Sequence, residues 1–203
     1  WLREHVAFLV VAFMDKDGVE DGDQGKCRRP HDHNRDYGSE SIYPEVRALR
    51  ELTSHWSDNK LDFFLDLHCP WIRGQYNEVI YVVGSHDEAM WQQQREFGRI
   101  LETVQSGPLG YHASDNLPFG KAWNTGANTS TGRSFGEWAT SLEGIRLAAS
   151  FEIPYANASG QAVTADSARA FGRSLARALR SYLEQIGSRE AQLRKSPPVQ
   201  VGG

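Results

Sequence analysis

Two residues that can carry acid–base or metal chemistry each stand at the end of an apolar stretch of this 203-residue chain. His68 follows the run Phe63–Leu67, which one acid interrupts, and Glu152 follows the sequence Ala-Ser-Phe. Carboxyl groups are rarely buried unless they are paired or functional, and burial raises their pKa. His68 is therefore a candidate metal ligand or general base, and Glu152 a candidate general acid and base. The alternatives are a core histidine bonded to a backbone carbonyl and a glutamate in a structural salt bridge.

A polar loop over residues 15–37 supplies the remaining candidates. It shows no helical or strand periodicity, and loops of more than about 12–15 residues without regular structure are usually functional or disordered. Its guanidinium groups can hold a carboxylate through two parallel hydrogen bonds. The alternative is a solvated surface loop. The loop is dense in groups that can ionise or form hydrogen bonds, namely Lys26, Arg28, Arg29, His31, Asp32, His33, Asn34, Arg35 and Asp36.

The apolar pattern of the chain alternates between strand-like and helix-like segments. Strands are predicted over residues 6–14, 60–67, 78–83 and 145–153, and helices over residues 39–56, 87–104, 135–142 and 164–186. This alternation predicts an α/β fold with a mixed, mainly parallel central sheet flanked by helices. Because ligands of such sheets bind outside the carboxyl ends of the strands, His68 and Glu152 stand where a site is expected.

The domain prediction is one catalytic-type domain over residues 1–187, followed by a disordered tail over residues 188–203. The tail is charged and then rich in proline and glycine, a composition that favours disorder. Residues 107–136 are rich in small polar residues and are expected to be irregular, as a lid or specificity loop.

The bulk composition excludes several classes of partner. The net charge of −4 and the pI of about 6.0 give no general attraction for nucleic acid or for an anionic membrane. No apolar run approaches the roughly 18–20 residues that a membrane span needs. Two cysteines, Cys27 and Cys69, form no disulfide framework and favour free thiols in a reducing compartment. A cytoplasmic location is therefore expected.

Four stretches together resemble a known family, the zinc carboxypeptidases related to carboxypeptidase A and their bacterial and cytosolic relatives. They are Asp-Lys-Asp-Gly at 15–18, Asp-His-Asn-Arg-Asp-Tyr at 32–37, Phe-Leu-Asp-Leu-His at 64–68 and Ser-Phe-Glu at 150–152. Their order along the chain matches that of the family. Residues 15 and 16 depart from the Asn-Pro-Asp-Gly turn of the family.

The resemblance implies zinc as the cofactor and hydrolysis of a C-terminal peptide bond as the reaction. His68 would be a zinc ligand. Glu152 would be the general base that deprotonates the zinc-bound water and then protonates the leaving amine. Asp32 would lie behind the metal and orient a zinc-bound histidine.

The resemblance also implies how a substrate is held. Asn34 and Arg35 would bind the free C-terminal carboxylate of a peptide or peptide-like substrate. Either Arg28 or Arg29 would polarise the scissile carbonyl, and the spacing leaves the choice open. The family has a mobile tyrosine near the substrate, but the matching loop, residues 124–132, contains no tyrosine.

One departure from the family concerns the metal. The family has a His-x-x-Glu motif, carrying two of three zinc ligands, upstream of its first Asp-Gly turn, and residues 1–14 contain no such motif. Tight zinc binding by this chain alone is therefore not expected. Three explanations are open: an N-terminally truncated chain, a catalytically inactive module that binds carboxylate or peptide, or substitute ligands such as His31 and His33. Truncation is favoured because the chain opens at Trp1 in mid-element. A serine esterase or amidase is disfavoured, since no Gly-x-Ser-x-Gly elbow is present.

Overall fold

The computed structural model describes residues 1–58, 60–129 and 132–195. Its helices are α1 (Leu2–His5), α2 (Lys16–Asp21), α3 (Pro44–Ser57), α4 (Glu88–Val104), α5 (Gly126–Thr129), α6 (Phe135–Thr140) and α7 (Ala165–Lys195), with 3-10 turns at Gly25–Cys27, His33–Arg35 and Ala113–Asp115. Its strands are β1 (Phe63–His68), β2 (Tyr81–Val83), β3 (Leu147–Glu152), β4 (Asn157–Ala158) and β5 (Gln161–Ala162). The mixed α/β class predicted from the sequence is confirmed.

Three of these strands form the sheet that carries the candidate residues. Their order is β1-β3-β2, with β1 parallel to β3 and β2 antiparallel to it. The described sheet is therefore small and mixed, with one pairing of each kind. The register sets His68 opposite Glu152 on one side of β3 and Tyr81 opposite Glu152 on the other. Glu152 thus ends the central strand of the sheet.

Side chains of β3 alternate between two apolar layers, as the pleat of a strand requires. Leu147, Ala149 and Phe151 face the layer formed with α4 and α7, where Phe97 and Tyr182 pack edge to face. Ala148 faces the other layer, which contains Val46 and Leu49 of α3, Phe135 and Trp138 of α6, and Phe64 of β1 on its margin. By the same alternation, Ser150 and Glu152 point to the side of α3 and α6.

The helices near the site begin at residues that can accept backbone hydrogen bonds. Asp87 caps α4 by accepting from the Met90 N–H at 2.7 Å. Ser134 and Glu137 form a reciprocal capping box at the start of α6. The Thr164 hydroxyl accepts from the Ser167 N–H at 3.2 Å and caps α7. These caps satisfy N–H groups that have no partner inside a helix.

The predicted strand over residues 6–14 is wrong. No residue of this segment is in a strand, and its large side chains are exposed at Phe8, Val10, Val11 and Phe13. An apolar, β-branched run favours a strand only when neighbouring strands pair with it, and no described strand does so. The prediction that residues 15–37 lack regular structure is also wrong. Asp15 caps the short helix α2, which ends at Asp21 and is followed by Gly22 in the left-handed conformation.

The last helix is longer than predicted. The sequence places its end at residue 186, but α7 continues to Lys195. The added residues are largely Glu, Ala, Gln, Leu, Arg and Lys, which have high helix propensity. Residues 188–195 of the predicted disordered tail are therefore helical, and residues 196–203 lie outside the described ranges.

Cys27 and Cys69 are both free thiols in the structure, as predicted. Of the helices in the described part of the chain, none combines the length and the apolar composition that crossing a membrane requires.

Candidate functional site

His68 and Glu152 lie side by side at one edge of the sheet. They are register partners at the last positions of the two parallel strands β1 and β3. Parallel neighbours end at the same edge, and residues paired across them project to the same face. The two residues singled out in the sequence, 84 positions apart, are therefore brought together by one strand pairing.

Glu152 is a buried acid with incomplete hydrogen bonding. Glu152 is 8% exposed to solvent, and its Oε2 atom has no hydrogen-bond partner among the described residues. Burial raises the pKa of Glu152 above its ordinary value, while the nearby His68 works in the opposite direction. A carboxyl group with a raised pKa can accept a proton near neutral pH and return it, which general acid–base catalysis requires.

A second acid, Asp66, lies two residues before His68 on the same face of β1. Its Oδ2 is buried without a hydrogen-bond partner in the described part of the chain and lies 3.7 Å from Nδ1 of His68. The side chain of Ser150, its register partner on β3, hydrogen-bonds to Asp66. Burial raises the pKa of Asp66. The sequence showed this acid only as the residue that interrupts an apolar run.

A large cavity, of about 1980 Å³, joins the strand ends to the loop before α3. Five of the seven predicted site residues line it: Asp32, Asn34, Arg35, His68 and Glu152. The other two, Arg28 and Arg29, are not among its lining residues. The loop and the two strand ends therefore face one common space.

The guanidinium groups of Arg28 and Arg29 are directed elsewhere. Arg28 forms ion pairs with Asp15 and, at 3.1 Å, with Asp23. Nη1 of Arg29 lies 3.5 Å from the carbonyl oxygen of Arg28, and its side chain is at the surface. Besides Arg35, the loop places the basic residue Lys26 at the cavity, and the charge of Lys26 lowers the pKa of Glu152. The sequence interpretation counted Lys26 among the charges of the loop but gave it no role in the site, although it lies only two positions before Arg28.

Asn34 and Arg35 are held in place by backbone groups from distant parts of the chain. Oδ1 of Asn34 accepts from the Phe135 N–H at 2.8 Å, at the start of α6. Nε of Arg35 donates to the Asn128 carbonyl at 3.2 Å, and Nη1 donates to the Asn34 carbonyl at 2.6 Å. Nδ2 of Asn34 and Nη2 of Arg35 make no hydrogen bond with the described residues, so both donors can serve a ligand in the cavity.

Asp32 shapes the turn that presents these two residues. Its Oδ1 accepts from the Asn34 N–H at 2.7 Å and caps the 3-10 turn His33–Arg35. Its charge acts on both Asp66 and Glu152, which places it near the strand ends. Its predicted role of orienting a zinc-bound histidine stays a prediction, and the carboxylate that lies beside the His68 ring is Asp66.

Tyrosines border the site at positions that the sequence interpretation did not single out. Tyr155, three residues after Glu152, lines the cavity, and its hydroxyl accepts from Nε2 of Gln24 at 3.3 Å and also bonds to Cys69. Tyr81 is buried beside Glu152 on β2, and its hydroxyl bonds to Trp123. The closeness of Tyr155 to Glu152 in sequence was an available signal, whereas Tyr81 reaches Glu152 only through the pairing of β2 with β3.

The described residues do not by themselves fit a zinc ion. The buried oxygens of Asp66 and Glu152 that lack partners are groups that a cation near His68 could satisfy. However, within the described ranges no three histidine, cysteine, aspartate or glutamate side chains converge closely enough to hold one metal. Zinc sites of this class need three protein ligands.

The suggested substitute ligands, His31 and His33, are engaged with carboxylates. Nε2 of His31 lies 2.8 Å from Oδ1 of Asp36, and Nε2 of His33 lies 2.5 Å from Oε1 of Glu45. The His33 ring also stacks on Tyr43, with 3.8 Å between ring centroids. In this structure the two imidazoles belong to a hydrogen-bonded network between the loop and α3.

Comparison of the chain with protein-family models, with curated proteins and with solved structures finds no match.

Proposed function

We propose that this protein is a zinc-dependent, carboxypeptidase-like hydrolase that cleaves the C-terminal bond of a peptide or peptide-like amide. The observation that carries the proposal is the pairing of His68 with Glu152 at the end of two parallel strands. This pair faces the same cavity as Asn34 and Arg35, so an acid–base group and a carboxylate-binding group share one space.

The substrate carboxylate is assigned to Asn34 and Arg35. Nη2 of Arg35 and Nδ2 of Asn34 donate to the two carboxylate oxygens, and charge-assisted hydrogen bonds of this kind are about twice as strong as neutral ones. The backbone bonds that fix both side chains restrict their motion before a ligand arrives, which lowers the entropy cost of binding.

Glu152 performs the proton transfers. It takes a proton from the attacking water as the oxygen–carbon bond forms, and it delivers that proton to the leaving amine as the carbon–nitrogen bond breaks. The ammonium of Lys26 offsets the negative charge that develops on the carbonyl oxygen. Zinc, which the sequence resemblance implies, would have His68 as one ligand and would polarise the scissile carbonyl.

A second candidate function is a catalytically inactive module that binds a carboxylate or peptide terminus. The observation in its favour is that, within the described ranges, no three histidine, cysteine, aspartate or glutamate side chains converge around His68 to hold a metal. In this case Asn34 and Arg35 keep their role, and Glu152 is only a buried acid.

One experiment separates the two functions. The protein is incubated with zinc and with a peptide in free-acid and in C-terminally amidated form, and both binding and products are measured by calorimetry and mass spectrometry. The hydrolase releases the terminal residue of the free-acid peptide only, and a chelator stops the release. The binding module holds the free-acid peptide in preference to the amide and leaves both intact. Equal binding of both forms without cleavage contradicts both candidates.

A further inference from the structure

The side chain of Asp66 is in a position to act on the His68 imidazole. Residues two apart on a strand point to the same face, so the carboxyl group of Asp66 lies directly before the ring on β1. The distance of 3.7 Å between Oδ2 and Nδ1 is longer than a hydrogen bond. The second side-chain torsion of histidine has a broad energy profile, so a small rotation of the ring closes this distance.

One oxygen of the Asp66 carboxyl group is available to accept a hydrogen bond. Ser150 of β3 hydrogen-bonds to the Asp66 side chain, whereas Oδ2 is buried with no partner among the described residues. A buried acceptor without a partner costs about 1–3 kcal/mol, so bonding to the ring nitrogen removes a penalty as well as adding a contact.

Other charged groups around the ring are less suited to this position. Oδ1 of Asp32 is already bonded to the Asn34 N–H. Glu152 lies on β3, beside the strand that carries His68, whereas Asp66 lies on the same strand as His68. Lys26 has no atom that can accept a hydrogen bond. The oxygen recorded beside Nδ1 is that of Asp66.

We propose that Asp66 is a positioning residue that accepts a hydrogen bond from Nδ1–H of His68. A neutral imidazole carries one proton, so fixing it on Nδ1 leaves the lone pair on Nε2. The ring then presents a basic nitrogen to the cavity, whether that nitrogen meets a metal ion, a water molecule or a substrate. The importance of this arrangement for hydrolysis rests on the function proposed above, but the tautomer itself does not.

The tautomer is measured by nitrogen-15 magnetic resonance on protein labelled at histidine, at about pH 8, above the ordinary histidine pKa of ~6.5. The chain has seven histidines, and loss of one set of signals in His68→Gln identifies the ring. We expect a single neutral form with the proton on Nδ1 in the native protein. In Asp66→Ala we expect that pattern to be lost, with signals of the Nε2–H form appearing.

Two matched variants sharpen the test. Glu152→Gln removes the neighbouring carboxylate and leaves the His68 tautomer unchanged if Asp66 is the acceptor. Asp66→Asn retains an acceptor oxygen of the same size and keeps the Nδ1–H form, with melting curves to show that each variant is folded. A native His68 with its proton on Nε2 overturns the proposal even if no variant folds, and so does an unchanged tautomer in folded Asp66→Ala. Neither result depends on hydrolysis, so failure of the proposed function is seen separately.

Discussion

At the scale of single residues, burial decides which side chains of this protein can do chemistry. Glu152 and Asp66 each keep one buried oxygen without a partner among the described residues, and burial raises the pKa of both. The polar groups of the loop 15–37 differ, because most of them are paired with each other. Within the loop, Arg28 pairs with Asp15 and His31 with Asp36, while His33 pairs with Glu45 of α3, and these pairs tie the loop together and to α3.

The assignment of Lys26 gives a prediction at this scale. Lys26→Ala should lower kcat/KM for a free-acid peptide about tenfold, because a cation beside the developing oxyanion is lost. The effect is smaller than the 10²–10³ of a desolvated donor, since Lys26 is exposed and its charge is screened. Steady-state kinetics measure it.

Arg29→Ala is the matched control, because it removes an exposed cation of the same loop that does not line the cavity. Its kcat/KM should stay within about twofold of the native value. If Arg29→Ala has the lower kcat/KM of the two variants, the role assigned to Lys26 is wrong. The expectation that Arg28 or Arg29 polarises the scissile carbonyl then holds again.

At the scale of elements, the strand pairing of β1 with β3 creates the site. The sequence predicted both strands and both of their end residues, since an apolar run ended by a nearby proline is a local signal. It could not predict that the two strands are neighbours, because pairing depends on contacts between residues more than 80 positions apart. The same limit explains the failure at residues 6–14, where the local pattern favours a strand and no described strand pairs with it.

Asn34 joins two elements, so its substitution should affect both folding and binding. Asn34→Ala removes the acceptor for the Phe135 N–H at the start of α6 and should lower the free energy of unfolding by about 1 kcal/mol. Asn34→Asp keeps that acceptor and should be nearly as stable as the native protein, but it replaces the amide donor with a negative charge. Its KM for a free-acid peptide should rise by at least about tenfold. Urea unfolding and steady-state kinetics measure the two effects.

The two variants separate a structural role from a substrate role. If Asn34→Ala and Asn34→Asp lose equal unfolding free energy, the acceptor oxygen at position 34 does not stabilise the start of α6 through the Phe135 N–H. An unchanged KM in Asn34→Asp would remove this residue from the carboxylate site.

At the scale of the whole molecule, two apolar layers sandwich the sheet, and the cavity opens beyond the strand ends. The mixed α/β class and most helices could be predicted, because their periodicity and caps are local. The contents of the cavity could be predicted only in part. Asn34, Arg35, His68 and Glu152 were found by residue type and order, whereas Lys26, Asp66 and Tyr155 acquire their place through the tertiary fold.

Burial of Glu152 predicts how the stability of the whole molecule depends on pH. Burial raises its pKa above the ordinary value of 4.5, so the folded chain binds this proton more tightly than the unfolded chain. The protonated form of Glu152 therefore contributes its full share of the unfolding free energy below pH 4.5, and this contribution is lost as the pH rises through the folded-state pKa. The Glu152→Gln variant does not lose this free energy, because glutamine does not titrate. Its advantage in unfolding free energy over the native protein should grow above pH 4.5 and then become constant.

Chemical unfolding at several pH values measures this difference. Glu40→Gln removes one negative charge at an exposed position and serves as the control for net charge. A Glu152→Gln advantage that shrinks with rising pH would contradict the burial of a proton-binding carboxyl at this position.

The most direct test of the central claim is the rate at which Glu152→Gln and the native protein, both supplied with zinc, release the last residue of a free-acid peptide. We expect the native protein to shorten this peptide and to leave its amidated form intact. We also expect kcat of the variant to fall by about 10²–10⁴, the usual contribution of a general acid and base, with KM changed by less than about threefold. A variant that cleaves as fast as the native protein, or a native protein that leaves the free-acid peptide whole, would contradict the central claim.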